Sequence, residues 1–275
     1  MTPTVTVGLD GSPESLAAVD WAAREALRRS ATLRLVHAGD QQPYGYVPFA
    51  GEAVPPPDAD RSASMLREVR ASVTSRHPGL RVIADRVAGQ PAAALLAAAG
   101  EAELLVLGSR GPGRAAGALL GSVALAVVAR AERPVVLVRA GTDAADEHLS
   151  APVGPATAGP YRDVVLGLDQ HDPDDAVLRF AFDAASLRDA ALRVVHGLKP
   201  ADGLRPWREK FPDVETTEQV VIGTPGSHLA DVSHDASLVV VGRKSRPSPV
   251  GPHIGPVTHA VLHHAAAPVA VVPHG

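Results

Sequence analysis

Short apolar runs alternate with amphipathic stretches along this chain. The run TVTVGL (residues 4–9) is followed by a stretch in which Leu16, Val19 and Ala23 recur at helical spacing, and a second apolar run, TLRLVHA, ends at Ala38. Runs rich in Val and Leu are typical of buried strands, and the three-to-four-residue spacing is typical of a helix. The alternation predicts parallel strands joined by helical crossovers, with helices on both faces of the sheet.

The same order continues to residue 140. Ser12 before Pro13 is a start signal for the first helix. Further helices are predicted over 62–77, 91–100 and 121–131, and further strands over 80–87, 104–108 and 134–140. This part of the chain is therefore predicted to hold a five-stranded α/β unit.

The unit occurs twice. VTVGLDGS from Val5 is repeated as VVLGLDQH from Val164, at an offset of 159 residues, whereas LLVLGSRG from Leu104 is repeated as LVVVGRKS from Leu238, at an offset of 134. The second copy thus lacks 25 residues between its second and third strands. Internal repetition of this kind predicts two like domains, which we place at residues 1–141 and 161–275 with a Gly-, Ala- and Pro-rich linker over 142–160.

The composition of the chain limits the classes of function and the kinds of ligand that it can have. Hydrophobic residues make up 45% of the chain but aromatic residues only 3%, the net charge is −4, and there is no cysteine. The charge disfavours a nucleic-acid partner, and the lack of cysteine excludes thiolate metal sites and disulfides. No apolar run approaches the roughly 20 residues of a membrane helix, and no signal-peptide layout opens the chain. We expect a cytoplasmic protein without a membrane partner or a bound structural metal.

One loop carries candidate chemistry. The stretch VLGSRGPGRAAGALLGSV, residues 106–123, places five glycines and two arginines between a strand and a helix. Glycine permits close approach to a ligand, and a helix N-terminus offers unpaired N–H groups to an anion. The loop therefore predicts a phosphate site, with the Ser122 hydroxyl and the Ser122 and Val123 amides as donors and Arg110 and Arg114 as added charge.

Three known nucleotide-binding or nucleophile motifs do not match this loop. No G-x-x-x-x-G-K-S/T string exists, which disfavours a P-loop hydrolase, and no G-x-S-x-G elbow exists. GPGRAA resembles the dinucleotide fingerprint, but Glu132 precedes the next strand instead of ending it. A dehydrogenase is therefore disfavoured.

A fourth motif, a glycine spacing, matches this loop. Gly108 and Gly111, followed after nine residues by Gly121 and Ser122, resemble the G-x2-G-x9-G-S/T signature of the nucleotide-binding branch of the universal stress protein family. The opening VGLDGS, the LVHA strand end and the step from Val87 to Pro91 extend the resemblance over nearly the whole chain, twice. It implies two flavodoxin-like units in tandem that pair through their last strands as an intrachain pseudo-dimer, which would also cover two exposed sheet edges.

The resemblance also implies ATP, accompanied by Mg²⁺, as the ligand. By position, the adenosine end would meet Asp10, the backbone around Gly8 and Leu9, and Ala38. The ribose and phosphates would meet Leu107, Gly108, Arg110, Gly111, Gly121, Ser122 and Val123. For Asp10, a plain role in capping the helix that follows the strand stays open.

The second half departs from the signature. Gly111 is matched by Ser245 and Ser122 by Pro256, and proline removes both a hydroxyl and an N–H group. Asp169 persists, and Trp207 lies in the shortened region, where it could cover exposed core. We expect the first half to bind ATP and the second to bind it weakly or not at all.

These observations predict an ATP-binding regulatory protein of the stress response with an unknown protein partner. No attacking-water base, arginine finger or Walker B ligand is evident, so we expect no enzyme activity beyond slow ATP hydrolysis. The alternatives are a scaffold that binds cyclic nucleotides or no nucleotide, and an enzyme on a related α/β core.

Overall fold

The computed structural model describes residues 2–39, 57–110, 120–149, 159–169, 173–198, 202–245 and 254–275. Within them, ten strands form one sheet with the order β3-β2-β1-β4-β5-β10-β9-β6-β7-β8. The strands are β1 (Thr4–Gly8), β2 (Thr32–Gly39), β3 (Val82–Ala88), β4 (Leu104–Gly108), β5 (Val135–Val138), β6 (Asp163–Gly167), β7 (Leu192–His196), β8 (Thr216–Val220), β9 (Ala236–Lys244) and β10 (Val269–His274).

Each half of the chain contributes five parallel strands, and the halves meet at β5 and β10. These two strands run antiparallel, with Val269 opposite Leu137 and Val271 opposite Val135. The predicted pairing of the last strands within the chain is therefore confirmed. It turns two edge strands, which would expose unpaired N–H and C=O groups, into the centre of a continuous sheet.

Helices cover both faces of the sheet, as the alternating pattern predicts. The helices are α1 (Pro13–Arg28), α2 (Pro57–Arg76), α3 (Pro91–Gly100), α4 (Ser122–Arg130), α5 (Asp175–Ser186), α6 (Arg205–Lys210), α7 (Pro225–Val232) and α8 (Pro256–His264). Residues of α1, α2, α5 and α6 belong to one apolar core, and those of α3, α4, α7 and α8 belong to the other. None of the helices in the described part of the chain combines the length and apolar character needed to span a bilayer.

Local capping starts the first helix of each half. The Ser12 hydroxyl accepts a hydrogen bond from the Ser15 amide, and the Asp174 carboxylate accepts one from the Ala176 amide. Both side chains satisfy N–H groups that the first helical turn leaves unpaired. The start signal at Ser12 is confirmed.

The shortened region of the second half is closed by aromatic packing. Between β7 and β8 the six-residue α6 takes the place that the 20-residue α2 occupies between β2 and β3. Trp207 of α6 is buried, and its ring stacks with those of Phe182 and Phe211. As expected, Trp207 covers core that the lost segment would leave open.

Part of the predicted linker packs against the first half. Glu147 is buried, and its carboxylate accepts hydrogen bonds from Arg24 at 2.6 Å and from Arg28 at 3.3 Å. The low apolar content of this segment predicts a linker that does not pack against either half. Instead, ion pairs between Glu147 and α1 attach it to the first half.

Candidate functional site

The predicted site residues that the structure describes lie at the carboxyl ends of β1, β2 and β4 and at the start of α4. β1 lies between β2 and β4, so the chain leaves β1 toward one side of the sheet and later returns on the other. This reversal creates the crevice in which doubly wound sheets bind ligands. The fold therefore brings together segments that are up to about a hundred residues apart.

Asp10 stands in the turn between β1 and α1. Its Oδ1 accepts hydrogen bonds from the Ser12 amide at 2.9 Å and from the Ser12 hydroxyl at 2.5 Å, and the residue is exposed. Gly11 between them has φ +82°, a left-handed conformation that favours glycine. Asp10 thus orders the capping serine, while Ser12 itself caps α1.

The side chains of Leu9 and Leu107 point into the apolar cores. Both residues are buried, and the Leu9 amide donates to the Val36 carbonyl at 2.8 Å. A Cβ on Gly8 would lie 2.6 Å from Leu107 Cδ2, so Gly8 makes room for core packing. Any contact of these three residues with a ligand would therefore run through backbone atoms.

Gly108 ends β4 directly beneath the start of α1. A Cβ at this position would lie 2.7 Å from the Glu14 carbonyl carbon and 2.8 Å from the Ser15 nitrogen. The glycine is therefore needed for close helix–strand approach, a reason that its place in the motif does not show. Ala38, half-buried at the end of β2, follows His37, whose Nδ1 lies 2.8 Å from the Leu9 carbonyl oxygen.

The start of α4 differs from the start of α1. Gly121 is the N-cap, no side chain caps this end, and no acidic residue lies in the first turn. Ser122 and Val123 are exposed, and the Gly121 amide donates to the Ser109 carbonyl at 2.8 Å. The N-terminus of α4 therefore presents its amides and a hydroxyl beside the end of β4, without an acidic side chain of its own.

Positive charge lies next to this helix start. Arg110 is exposed. Burial lowers the pKa of the Arg139 guanidinium, and the nearby Arg110 charge lowers it further. Arg139 directly follows β5 and is not among the predicted site residues. Gly111 and Arg114 lie outside the described residues.

The corresponding strand ends and helix start of the second half make different contacts. A Cβ on Gly242, the counterpart of Gly108, would lie 2.8 Å from His274 Nε2, because β9 and β10 run on to Lys244 and His274. Lys244 Nζ lies 3.7 Å from Asp169 Oδ2. Pro256 is the first residue of α8, the place that Ser122 holds in α4. In the second half, His274 thus packs against the strand end, and Lys244, the repeat counterpart of Arg110, pairs with Asp169.

Metal binding by the protein alone finds no support in these segments. Across the residues with described positions, no group of three or more His, Cys, Asp or Glu side chains could hold a metal ion.

Comparisons with known proteins agree with this architecture. The sequence profile of the universal stress protein family matches residues 1–139 and 201–273. A universal stress protein of Mycobacterium tuberculosis is 32% identical over 294 residues, covering 97% of this chain and 96% of its own length. One from Mycolicibacterium smegmatis is 30% identical, covering 98% and 96%.

A solved structure supports the fold over the full length. The crystal structure of a universal stress protein from Archaeoglobus fulgidus matches with a TM-score of 0.73 at 17% identity, covering 99% of this chain and 98% of that one. The sequence matches and the paired α/β halves lead to one conclusion: the chain belongs to the universal stress protein family.

Proposed function

We propose that the first half of this protein binds an adenine nucleotide, ATP together with Mg²⁺, and that occupancy regulates its interaction with a protein partner. The observation that carries the proposal is the uncapped N-terminus of α4, with Ser122 exposed beside the Gly108 strand end. At the start of α1 the Ser15 amide is instead engaged by the Ser12 hydroxyl, and Glu14 places negative charge in that first turn. Of the two helix starts, α4 is the one suited to phosphate.

The crevice divides chemically into two ends. Asp10 is exposed at the β1 end, where a carboxylate accepts hydrogen bonds from ribose hydroxyls or an amine. The α4 end offers N–H groups, a hydroxyl and the Arg110 charge, which suit an anion. A nucleotide has one end of each kind.

The second half is proposed not to bind ATP. Pro256 has neither an N–H group nor a hydroxyl, His274 packs against Gly242, and Lys244 is paired with Asp169. Since the part of the chain that the structure describes holds no group that could fix a metal ion, we propose a regulatory role in which the nucleotide is bound and released largely intact.

The test is isothermal titration of ATP with Mg²⁺ into nucleotide-stripped protein. The key variant is Ser122→Pro, which copies the second half; proline is well tolerated at the first helical position, so folding should survive. Asp10→Ala is compared with its repeat counterpart Asp169→Ala. We expect one ATP per chain, loss of binding in Ser122→Pro, weaker binding in Asp10→Ala and unchanged binding in Asp169→Ala.

Other results of the titration would indicate a different ligand or a different number of sites. Two sites per chain would show that Pro256 is tolerated, and Pro256→Ser should then strengthen the second. Heat from cyclic AMP but not ATP would favour the cyclic-nucleotide alternative. An absence of heat with ATP, ADP and cyclic AMP would leave a nucleotide-independent scaffold.

A further inference from the structure

An arginine of the second half reaches across to the helix that forms the phosphate end of the first-half crevice. Arg243 lies near the end of β9, is buried, and donates a hydrogen bond from Nη2 to the carbonyl oxygen of Ala131. Ala131 is the C-cap residue of α4. Arginine is suited to this position because it pairs with terminal carbonyl groups and with the negative end of the helix dipole.

Conversely, an arginine of the first half contacts a helix of the second half. Arg139 Nη2 donates to the carbonyl oxygens of His263 at 2.6 Å and Leu262 at 3.4 Å, at the end of α8. The two arginines are not repeat counterparts, since Arg243 matches Ser109 and Arg139 matches Pro273. The cross-capping of α4 is thus a property of this particular second half and not a plain result of duplication.

We propose that Arg243 is a positioning residue for the first-half nucleotide site, holding α4 so that its N-terminal amides and Ser122 meet the phosphates. This inference rests on the proposed function. α4 has nine residues and is about 13 Å long. Because so short a helix moves as a rigid body, a shift at its C-terminus also displaces its N-terminus.

The N-terminus of α4 is tied to β4 through the bond between the Gly121 amide and the Ser109 carbonyl. Ala124, Val127 and Val128 anchor its buried face. Arg243 supplies the tie at the other end. The second half, in which His274 packs against Gly242 and Lys244 pairs with Asp169, would thereby support the site of the first half.

The experiment measures ATP affinity and thermal stability in three variants. Arg243→Gln removes the charge and the fork of donors, Arg243→Lys keeps the charge, and Arg188→Gln is the matched control. Arg188 is also a buried arginine of the second half that reaches the first, but it contacts Glu25 near the far end of α1. We expect Arg243→Gln to raise the Kd for ATP by a factor of about three to ten.

Arg243→Lys should recover most of that loss, and Arg188→Gln should lower the melting temperature while changing the Kd less than about twofold. An unchanged Kd in Arg243→Gln, or an equal loss in Arg188→Gln, would overturn the inference. Failure of the wild-type protein to bind ATP would contradict the proposed function itself. Wild-type binding that Arg243→Gln leaves unchanged would contradict only the positioning role of Arg243.

A second measurement needs no variant. In wild-type protein, hydrogen exchange should slow on ATP addition both in α4 and in the β9 peptide that carries Arg243. Protection confined to the first half would contradict the coupling, even if Arg243→Gln did not fold.

Discussion

Glu25 and Arg188 form a buried ion pair between the two halves of the molecule. Arg188 Nη2 lies 2.8 Å from Glu25 Oε2, and both side chains are fully shielded from solvent. Arg28 and Arg29 of α1 hold the same carboxylate at 3.1 and 2.6 Å. The pseudo-dimer is therefore joined by charge on the α1 and α5 face as well as by the β5–β10 ladder.

Glu25→Gln should destabilise the fold by about 3 kcal/mol, because it leaves the buried Arg188 guanidinium without its counter-charge. The matched control is Glu103→Gln, whose carboxylate pairs with Arg29 at 2.7 Å but is 45% exposed, and which should change stability by less than about 1 kcal/mol. Urea unfolding at pH 7 gives both values. Equal effects would mean that burial of Glu25 does not set its contribution.

Acid should weaken the same contact. Burial alone would raise the pKa of Glu25, but Arg188, Arg29 and Arg28 together lower it below its ordinary value of 4.5. Its contribution is thus fully present above about pH 4.5 and is lost as pH falls toward the folded-state pKa.

In wild type, this group should add a slope of about 1.4 kcal/mol per pH unit to the acid side of the stability curve. Urea unfolding from pH 7 to pH 3 measures it. Glu25→Gln should lack that added slope and Glu103→Gln should keep it, whereas parallel curves for wild type and Glu25→Gln would contradict the coupling.

Gly108→Ala should cost about 1–3 kcal/mol, because the new methyl group would press on the backbone of Glu14 and Ser15. Gly100→Ala is the control, since nothing lies within 4 Å of its Cβ position and alanine favours the helix. Thermal unfolding should show a lower melting temperature only for Gly108→Ala. A neutral Gly108→Ala would show that α1 can move away from β4 at little cost.

Trp207→Ala should destabilise the chain by about 3 kcal/mol, because the indole fills core beside Phe182 and Phe211 in the shortened region. Ile222→Ala, at a residue 84% exposed, should have little effect. Denaturant unfolding followed by circular dichroism compares the two. Similar losses would indicate that α6 does not close the core of the second half.

The repeat and the alternation of apolar runs were enough to predict much of this protein. They predict two α/β units, the start of α1 at Ser12, and the β5–β10 pairing, because each depends on local spacing and on the need to cover a sheet edge. The signature also predicts which strand ends meet, since parallel strands present their carboxyl ends at one edge of a sheet.

Other features depend on contacts between residues far apart in sequence, and only the tertiary structure decided them. The linker residue Glu147 is buried against Arg24 and Arg28, Gly108 is required by the approach of α1, and His274 packs against Gly242. Arg243 and Ala131 are 112 residues apart. No local pattern reports such a contact, because it arises only when two halves that are each locally specified pack against one another.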